Sequence, residues 1–199
     1  MNRTFFLFLI SILFIAVSCK QEQNKQEAEQ SEHHEHLSES SSEEQAAKKP
    51  LSPRTNAMAN IGEAHVHIDY SSPSVRGRTI WGGLVAFDQV WVTGAHKATS
   101  INFNKDVKIN NQTVPAGTYG FFTIPGKEEW TVILNKNHEQ HLADDYNEAE
   151  DVLRFQVVPE QLSEIVEALT YEVKPGEGNK GTISVMWEYK KVSFEVEVL

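Results

Sequence analysis

The clearest pattern along the chain is an alternation of apolar and polar residues over positions 64–70. Val66, Ile68 and Tyr70 occupy every second position, and polar or ionisable side chains lie between them. Successive side chains of a strand point to opposite faces of a sheet, so this alternation predicts a β-strand with one buried face.

Similar runs follow, and they are separated by turn residues such as Asn110-Asn111 and Pro115-Ala116-Gly117. We predict strands at Val90–Val92, Thr99–Phe103, Val107–Ile109, Thr113–Val114, Thr118–Ile124, Trp130–Leu134, Val152–Val158, Glu167–Val173, Gly181–Tyr189 and Val192–Val198. The pattern predicts an all-β fold, with residues 51–199 forming a single β-sandwich or jelly-roll-like domain of about ten short strands.

Two segments are also compatible with short helices. Glu139–Glu150 is polar and acidic, which fits a short surface helix or an ordered loop. Leu162–Val166 fits one helical turn before the next strand.

The first residues have the layout of a secretory signal. Arg3 precedes the apolar run Phe5–Ile15, which is shorter than the roughly 20 residues that a membrane-spanning helix needs. Small residues then lead to Cys19, the only cysteine, in an arrangement that resembles a bacterial lipobox. We therefore predict a lipoprotein signal peptide over residues 1–18 and fatty acyl chains such as palmitate on Cys19. An uncleaved short anchor, or cleavage that leaves a free thiol, is the alternative.

The predicted location is the bacterial cell envelope, where the N-terminal lipid would anchor the protein to a membrane. The outer membrane is favoured, on its periplasmic or its surface side. Residues 19–50 form a predicted disordered tether, because they are acidic and hold almost no large apolar side chain. His33, His34 and His36 in the tether fit either a weak metal-scavenging segment or a polar spacer.

Composition narrows the classes of function. The 199 residues hold 18 Lys and Arg against 28 Asp and Glu, giving a net charge of −10. Nucleic-acid binding requires a basic surface, so the acidic balance and the lack of a Lys/Arg cluster argue against it. With Cys19 predicted to carry lipid, the domain has no thiolate for catalysis, disulfides or zinc.

Several phrases of the sequence resemble one known family. IDYSSPSVRGRTIWGGLV, VWVTGAHKATSI, VPAGTYGFFTIPGKEEWTVILN and DDYNEAEDVLRF together are similar to the bacterial domain-of-unknown-function family 2911. The resemblance covers residues 52–198 and implies an envelope β-domain, but it names no reaction. Many relatives have Arg where this chain has Val92, and Asn where it has His96. Any role that the Arg has in those relatives therefore cannot be assigned to this chain.

The strongest candidate for metal chemistry is His65-x-His67. Residues i and i+2 of a strand lie on one face about 6.5–7 Å apart, so the two imidazoles can share an ion. His96 and His141 are candidate further ligands, with Asp69 on the same strand face. Such a site would suit Zn, Cu or Fe, and an open position would activate water or dioxygen. The alternative is an ordinary solvent-facing strand.

The second candidate is the loop that carries Arg76, Arg78 and Trp81. Guanidinium groups bind carboxylate, sulfate or phosphate through paired hydrogen bonds. A tryptophan beside glycines offers a flat wall for a sugar or an aromatic ring. The alternative is a packed corner in which Trp81 is core and the arginines pair with acids. Trp91, Trp130 and Trp187 lie in strand runs and are assigned to the core.

The leading hypothesis is therefore a non-enzymatic envelope lipoprotein that binds a small ligand, a glycan or a protein partner. The alternative is a His-coordinated metal-binding domain acting as a metallohydrolase or an oxygenase. The sequence leaves the enzyme question open, with the balance against an enzyme.

Overall fold

The computed structural model describes residues 50–199. The predicted signal peptide, Cys19 and the tether, with His33, His34 and His36, lie outside the described residues. Both sheets and their shared core lie inside this range, so residues 50–199 contain the contacts that hold the sandwich together. No helix within this range has the length and the apolar character needed to cross a bilayer.

Two antiparallel sheets pack face to face, which confirms the β-sandwich. The larger sheet has the spatial order β1 (Arg54–Ile61), β2 (Ala64–Ser71), β3 (Ser100–Phe103), β6 (Gly117–Pro125), β7 (Trp130–Asn135) and β8 (Asp151–Val157). The smaller sheet has the order β5 (Gln112–Val114), β4 (Val107–Ile109), β10 (Lys180–Val198) and β9 (Glu160–Pro175). The chain changes sheets after β3, after β5 and after β8.

The core fills the space between the sheets with the inward side chains of both. On β2, Val66 pairs with Phe103 and Ile68 with Ile101, and all four side chains are 0% exposed. The predicted alternation of β2 is therefore confirmed. The predicted turn at Asn110-Asn111 joins β4 to β5 with positive φ at both residues, the geometry that a two-residue hairpin requires.

The structure differs from the predicted strands in two places near the N-terminal side of the domain. Arg54–Ile61 forms β1, which was not predicted, because its inward positions include only the small Ala57 and Ala59 before Ile61. Val90–Val92 is not a strand. Trp91 makes a single bridge to Thr123, after which the chain turns away.

The two C-terminal strands are long. Leu162–Val166, which was compatible with a helical turn, lies inside β9. The two runs predicted at Gly181–Tyr189 and Val192–Val198 are one continuous strand, β10. Glu139–Glu150 is mostly loop and ends in one 3-10 turn, Glu148–Glu150.

Loops cover part of the outer face of the larger sheet. Phe122 and Ile133 point away from the main core and are fully buried beneath Val92 and Ala98 of one loop and Tyr146 of another. This second small core holds the loops that carry the candidate site.

Candidate functional site

One concave site combines apolar walls with convergent polar groups. It is a groove of about 360 Å³ at one end of the sandwich, and we call it the tryptophan groove. Its apolar walls are Val85, Trp91 and Trp187, with Leu84 and Leu142 beside them. Leu84 is 50% exposed and Leu142 is 41% exposed, so two large apolar side chains at the groove are open to solvent.

An irregularity in β9 shapes this end of the sandwich. β10 pairs Met186 with Thr170 but Glu188 with Val166, so β9 carries extra residues opposite Trp187. Such bulges bend a strand and redirect its side chains. The displaced part of β9 bonds instead to the loop after β2: Val75 N–H donates to the Glu167 carbonyl at 2.7 Å. The bulge therefore holds the loop that supplies Arg78, Leu84 and Val85.

All four tryptophans of the chain form one cluster at the groove. Trp91 and Trp187 stack with their ring centroids 5.7 Å apart and line the groove. Trp81 packs edge-on against both and against Trp130, at 4.7–5.9 Å. The structure therefore gives Trp81 a packing position in the cluster, and Trp91 and Trp187 supply the groove walls.

Two buried indole N–H groups of this cluster have no hydrogen-bond partner among residues 50–199. They belong to Trp187, which is 2% exposed and lines the groove, and to Trp81. Trp91, in contrast, donates to the Gly94 carbonyl at 3.2 Å. A buried donor without an acceptor costs about 1–3 kcal/mol, so the packing of these rings, not their polar bonding, stabilises the cluster.

The loop after Trp91 has a strained backbone. Thr93 has a φ of 46°, which is unusual for a β-branched residue, and it is fully buried. Its carbonyl accepts hydrogen bonds from the Tyr171 hydroxyl at 2.8 Å and from the Thr99 hydroxyl at 3.1 Å. Burial raises the pKa of Tyr171 well above its usual range, so this donor keeps its proton. These buried hydrogen bonds stabilise the strained backbone conformation of Thr93. Residues with strained backbones cluster at functional sites.

A second loop docks on the first and completes the groove. His96 also has a positive φ, and its carbonyl accepts from Leu142 N–H at 2.7 Å. Ala98 N–H donates to the Gln140 carbonyl at 2.9 Å. Through these contacts His96 and His141, which are far apart in sequence, line the same groove.

A polar network ties the second loop to β8. The Tyr146 hydroxyl donates to Asp151 Oδ2 at 2.8 Å and accepts from Arg154 Nη2 at 2.7 Å. Asn135 Nδ2 donates to Asp151 Oδ1 at 2.8 Å. Burial, followed by the bond to Asp151, raises the pKa of Tyr146 to about 12. The loop that ends at Tyr146 is therefore fixed at its base.

The two candidate arginines have different surroundings. Arg78 lines the groove, and its Nε donates to the Val75 carbonyl at 3.1 Å while Nη2 donates to Ser74. Arg76 does not line the groove, and its Nη2 donates to the Leu51 carbonyl at 3.0 Å. Neither arginine forms an ion pair with any carboxylate in the described part of the chain.

The comparisons with known proteins identify the family. Residues 52–196 match a family model described as "Protein of unknown function (DUF2911)". The chain belongs to the DUF2911 family. This confirms the resemblance that the sequence phrases indicated. No curated protein and no solved structure matches the chain.

The other candidate histidines of this DUF2911 domain lie on the outer face of β2. The rings of His65 and His67 are 6.1 Å apart, as the strand spacing predicted. His67 Nε2 lies 3.2 Å from Asp69 Oδ2, and His65 Nδ1 lies 2.9 Å from Asn60 Oδ1. Nowhere in residues 50–199 do three His, Cys, Asp or Glu side chains form a group able to hold one metal ion. The four candidate histidines therefore do not converge on one metal site: His65 and His67 lie on β2, and His96 and His141 lie at the groove.

Sequence reasoning missed part of the DUF2911 groove. Trp91 and Trp187 were assigned to the core, where they do pack, but their exposure to a groove was not foreseen. Leu84 and Leu142 were not singled out at all. The only signal for Leu84, Trp91 and Leu142 is that they lie near positions where regular alternation stops, and Trp187 has no such signal.

Proposed function

We propose that this DUF2911 domain is a non-enzymatic binding module that holds a small, largely apolar organic molecule in the tryptophan groove. The observation that carries the proposal is the composition of the groove, whose lining joins the stacked Trp91 and Trp187 to the solvent-exposed Leu84 and Leu142. Ligand sites are typically concave and mainly apolar, with a few polar groups that orient the ligand, and the groove has this character.

The cellular setting is part of the same proposal and rests on the N-terminal residues. A signal peptide over residues 1–18, cleaved before a lipidated Cys19, would place the domain in the bacterial cell envelope, on a lipid anchor and a tether. A binding module held in this way stays near the membrane and is free to meet small molecules there.

A second cavity, of about 430 Å³, supports the proposal less well. Its lining includes Lys108, Lys180, Glu195 and Glu197, together with Phe155 and Phe194. Lys180 Nζ already lies 2.8 Å from Glu195 Oε1, so its charge is matched within the protein. Phe155 and Phe194 are each only 8% exposed, so this cavity offers less apolar surface to a ligand than the groove does.

The groove lacks the arrangement that hydrolysis by a serine nucleophile would use. Ser52, His96 and His141 line it, but no hydrogen bond joins the hydroxyl to either imidazole in the described residues. A nucleophile and its base normally lie within hydrogen-bond reach of each other. We therefore favour binding over catalysis, and the metal-dependent alternative is supported only by the proximity of the His65 and His67 rings.

Binding of a neutral apolar probe tests the proposal. Phenylnaphthylamine is titrated into residues 50–199, and its fluorescence and the quenching of the tryptophans are followed. We expect saturable binding that weakens by about thirtyfold in the Leu84→Gln/Leu142→Gln variant, because each leucine loses about 1 kcal/mol of apolar contact with the probe.

The matched control is Ile165→Gln. Ile165 is 47% exposed, like the two leucines, but it does not line the groove. This variant should bind the probe as the wild type does. Equal binding by all three proteins, or no saturable binding by the wild type, would refute the groove as the binding site.

A further inference from the structure

We propose that the groove binds amphiphiles, with an apolar body against the tryptophans and an anionic head on Arg78. This inference rests on the proposed function and adds the chemical class of the ligand. It separates Arg78 from Arg76, which the sequence presents as an equivalent pair.

The hydrogen bonds of Arg78 fix its guanidinium in place and leave donors that can bind an anion. Bonds from Nε and Nη2 to the carbonyls of Val75 and Ser74 hold one edge of the group. Nη1 donates to no atom among the described residues, and no carboxylate there pairs with the group. A guanidinium has five N–H donors in a planar fork, so the remaining donors suit the paired oxygens of a carboxylate, phosphate or sulfonate.

The other polar groups of the groove also favour ligand oxygens. The Gly94 carbonyl is already bonded to Trp91 Nε1. No Asp or Glu lines the groove within residues 50–199. A ligand that supplies acceptors and negative charge therefore matches the groove better than a cation does.

The backbone explains why only Arg78 of the two arginines lines the groove. Gly77, at a φ of 66°, separates the two arginines, and Arg78 N–H donates to the Val75 carbonyl at 3.1 Å. This turn directs Arg76 toward Leu51 and brings Arg78 to the groove. Arg76→Gln is consequently a matched control that removes the same charge from a neighbouring position.

Two probes with the same ring skeleton isolate the contribution of the anionic head. Anilinonaphthalene sulfonate carries a sulfonate, and phenylnaphthylamine does not. For wild-type residues 50–199 we expect the sulfonate probe to bind at least about tenfold more tightly, since a hydrogen-bonded charge pair exceeds a factor of ten. Arg78→Gln should abolish this difference: the sulfonate probe should weaken by at least about tenfold and the neutral probe by less than about threefold, since the neutral probe contacts only the apolar stem of this side chain. Arg78→Lys should keep part of the difference, and Arg76→Gln should keep all of it.

A second pair extends the test to a carboxylate on an alkyl chain. Decanoate should displace the bound sulfonate probe at a concentration at least about tenfold lower than decanol does, and this advantage should disappear in Arg78→Gln. Circular dichroism and the melting temperature establish that each variant is folded.

The outcomes separate this inference from the proposed function. If both probes bind equally well and Arg78→Gln changes neither, the groove binds apolar molecules but the anionic head is refuted. If Arg76→Gln abolishes the preference as Arg78→Gln does, a general loss of charge explains it and the role of Arg78 is refuted. If the wild type binds neither probe, the proposed function itself fails.

Discussion

The outer face of β2 and the tryptophan groove both carry histidines, but on backbones of different kinds. His65 and His67 alternate with core residues along a regular strand, so their side chains project from the sheet beside their own neighbours, Asn60 and Asp69. His96 and His141 lie on loops that bond to each other across 45 residues of sequence. The regular strand spaces its polar groups along one face, whereas the docked loops gather theirs around a concavity.

The groove therefore depends on long-range packing far more than the strand face does. Its floor needs the bulge of β9 opposite Trp187, and its wall needs Thr93 at a positive φ. Both features are stabilised by buried contacts between residues distant in sequence. Substitutions at the groove should consequently cost stability as well as binding, and those on the outer face of β2 should cost neither.

The largest effect is expected from Trp187→Ala. Trp187 is 2% exposed and contacts two other tryptophans, so its removal leaves a large cavity. We expect the free energy of unfolding, measured by urea denaturation, to fall by about 3–5 kcal/mol. Trp187→Phe should lose distinctly less, because it keeps a ring at this position. If the free energy of unfolding of Trp187→Ala falls by less than about 1 kcal/mol, the tryptophan cluster does not form part of the stabilising core.

A smaller effect is expected from Tyr171→Phe, which removes the donor to the Thr93 carbonyl. The loss in the free energy of unfolding should be about 0.5–1.5 kcal/mol at neutral pH. Phenylnaphthylamine should bind less tightly, because the strained loop loses one of its buried bonds. The control is Tyr119→Phe, which removes a similar bond, from the hydroxyl to the Pro115 carbonyl at 2.8 Å, away from the groove. Equal effects of the two variants on probe binding would contradict a specific role for Tyr171.

The wild type and Tyr171→Phe should become more similar in stability at high pH. Burial raises the pKa of Tyr171 in the folded state well above the value near 10 of an unfolded tyrosine. A raised folded-state pKa adds stability that is complete below the unfolded pKa and is lost as the pH rises above it. The stability advantage of the wild type over Tyr171→Phe should therefore be constant up to about pH 9 and shrink above pH 10. An advantage that grows above pH 10 would contradict the burial of this hydroxyl.

The sequence predicts the regular parts of the fold well and its irregular parts poorly. The alternation of Val66 and Ile68 suffices to predict β2, because burial of one strand face leaves a period of two. β1 was missed, since Ala57 and Ala59 are too small to mark an inward face. Val90–Val92 has strand composition, but the turn at Thr93 is determined by Tyr171, 78 residues away.

The candidate site likewise has features that the sequence predicts and features that it does not. Arg78, His96 and His141 were found from their residue types alone, since guanidinium and imidazole groups suggest binding wherever they occur. Their shared location was not predictable, because it depends on the docking of two loops. Trp187 lies in a strand with ordinary core composition, and nothing local in the sequence marks the extra residues of β9 that open a groove beside it.

The smallest effect is expected from His65→Ala/His67→Ala on the outer face of β2. Both side chains are partly exposed, and their partners Asn60 and Asp69 are solvent-accessible, so the free energy of unfolding should change by no more than about 0.5 kcal/mol. Binding of both probes should remain as in the wild type. Zinc measured by mass spectrometry in untagged residues 50–199 should be well below one ion per chain in both proteins, because two imidazoles without a third ligand hold the ion weakly. Stoichiometric zinc in the wild type that disappears in the double variant would instead establish a metal site on β2, and the comparison between the two regions would then be reversed.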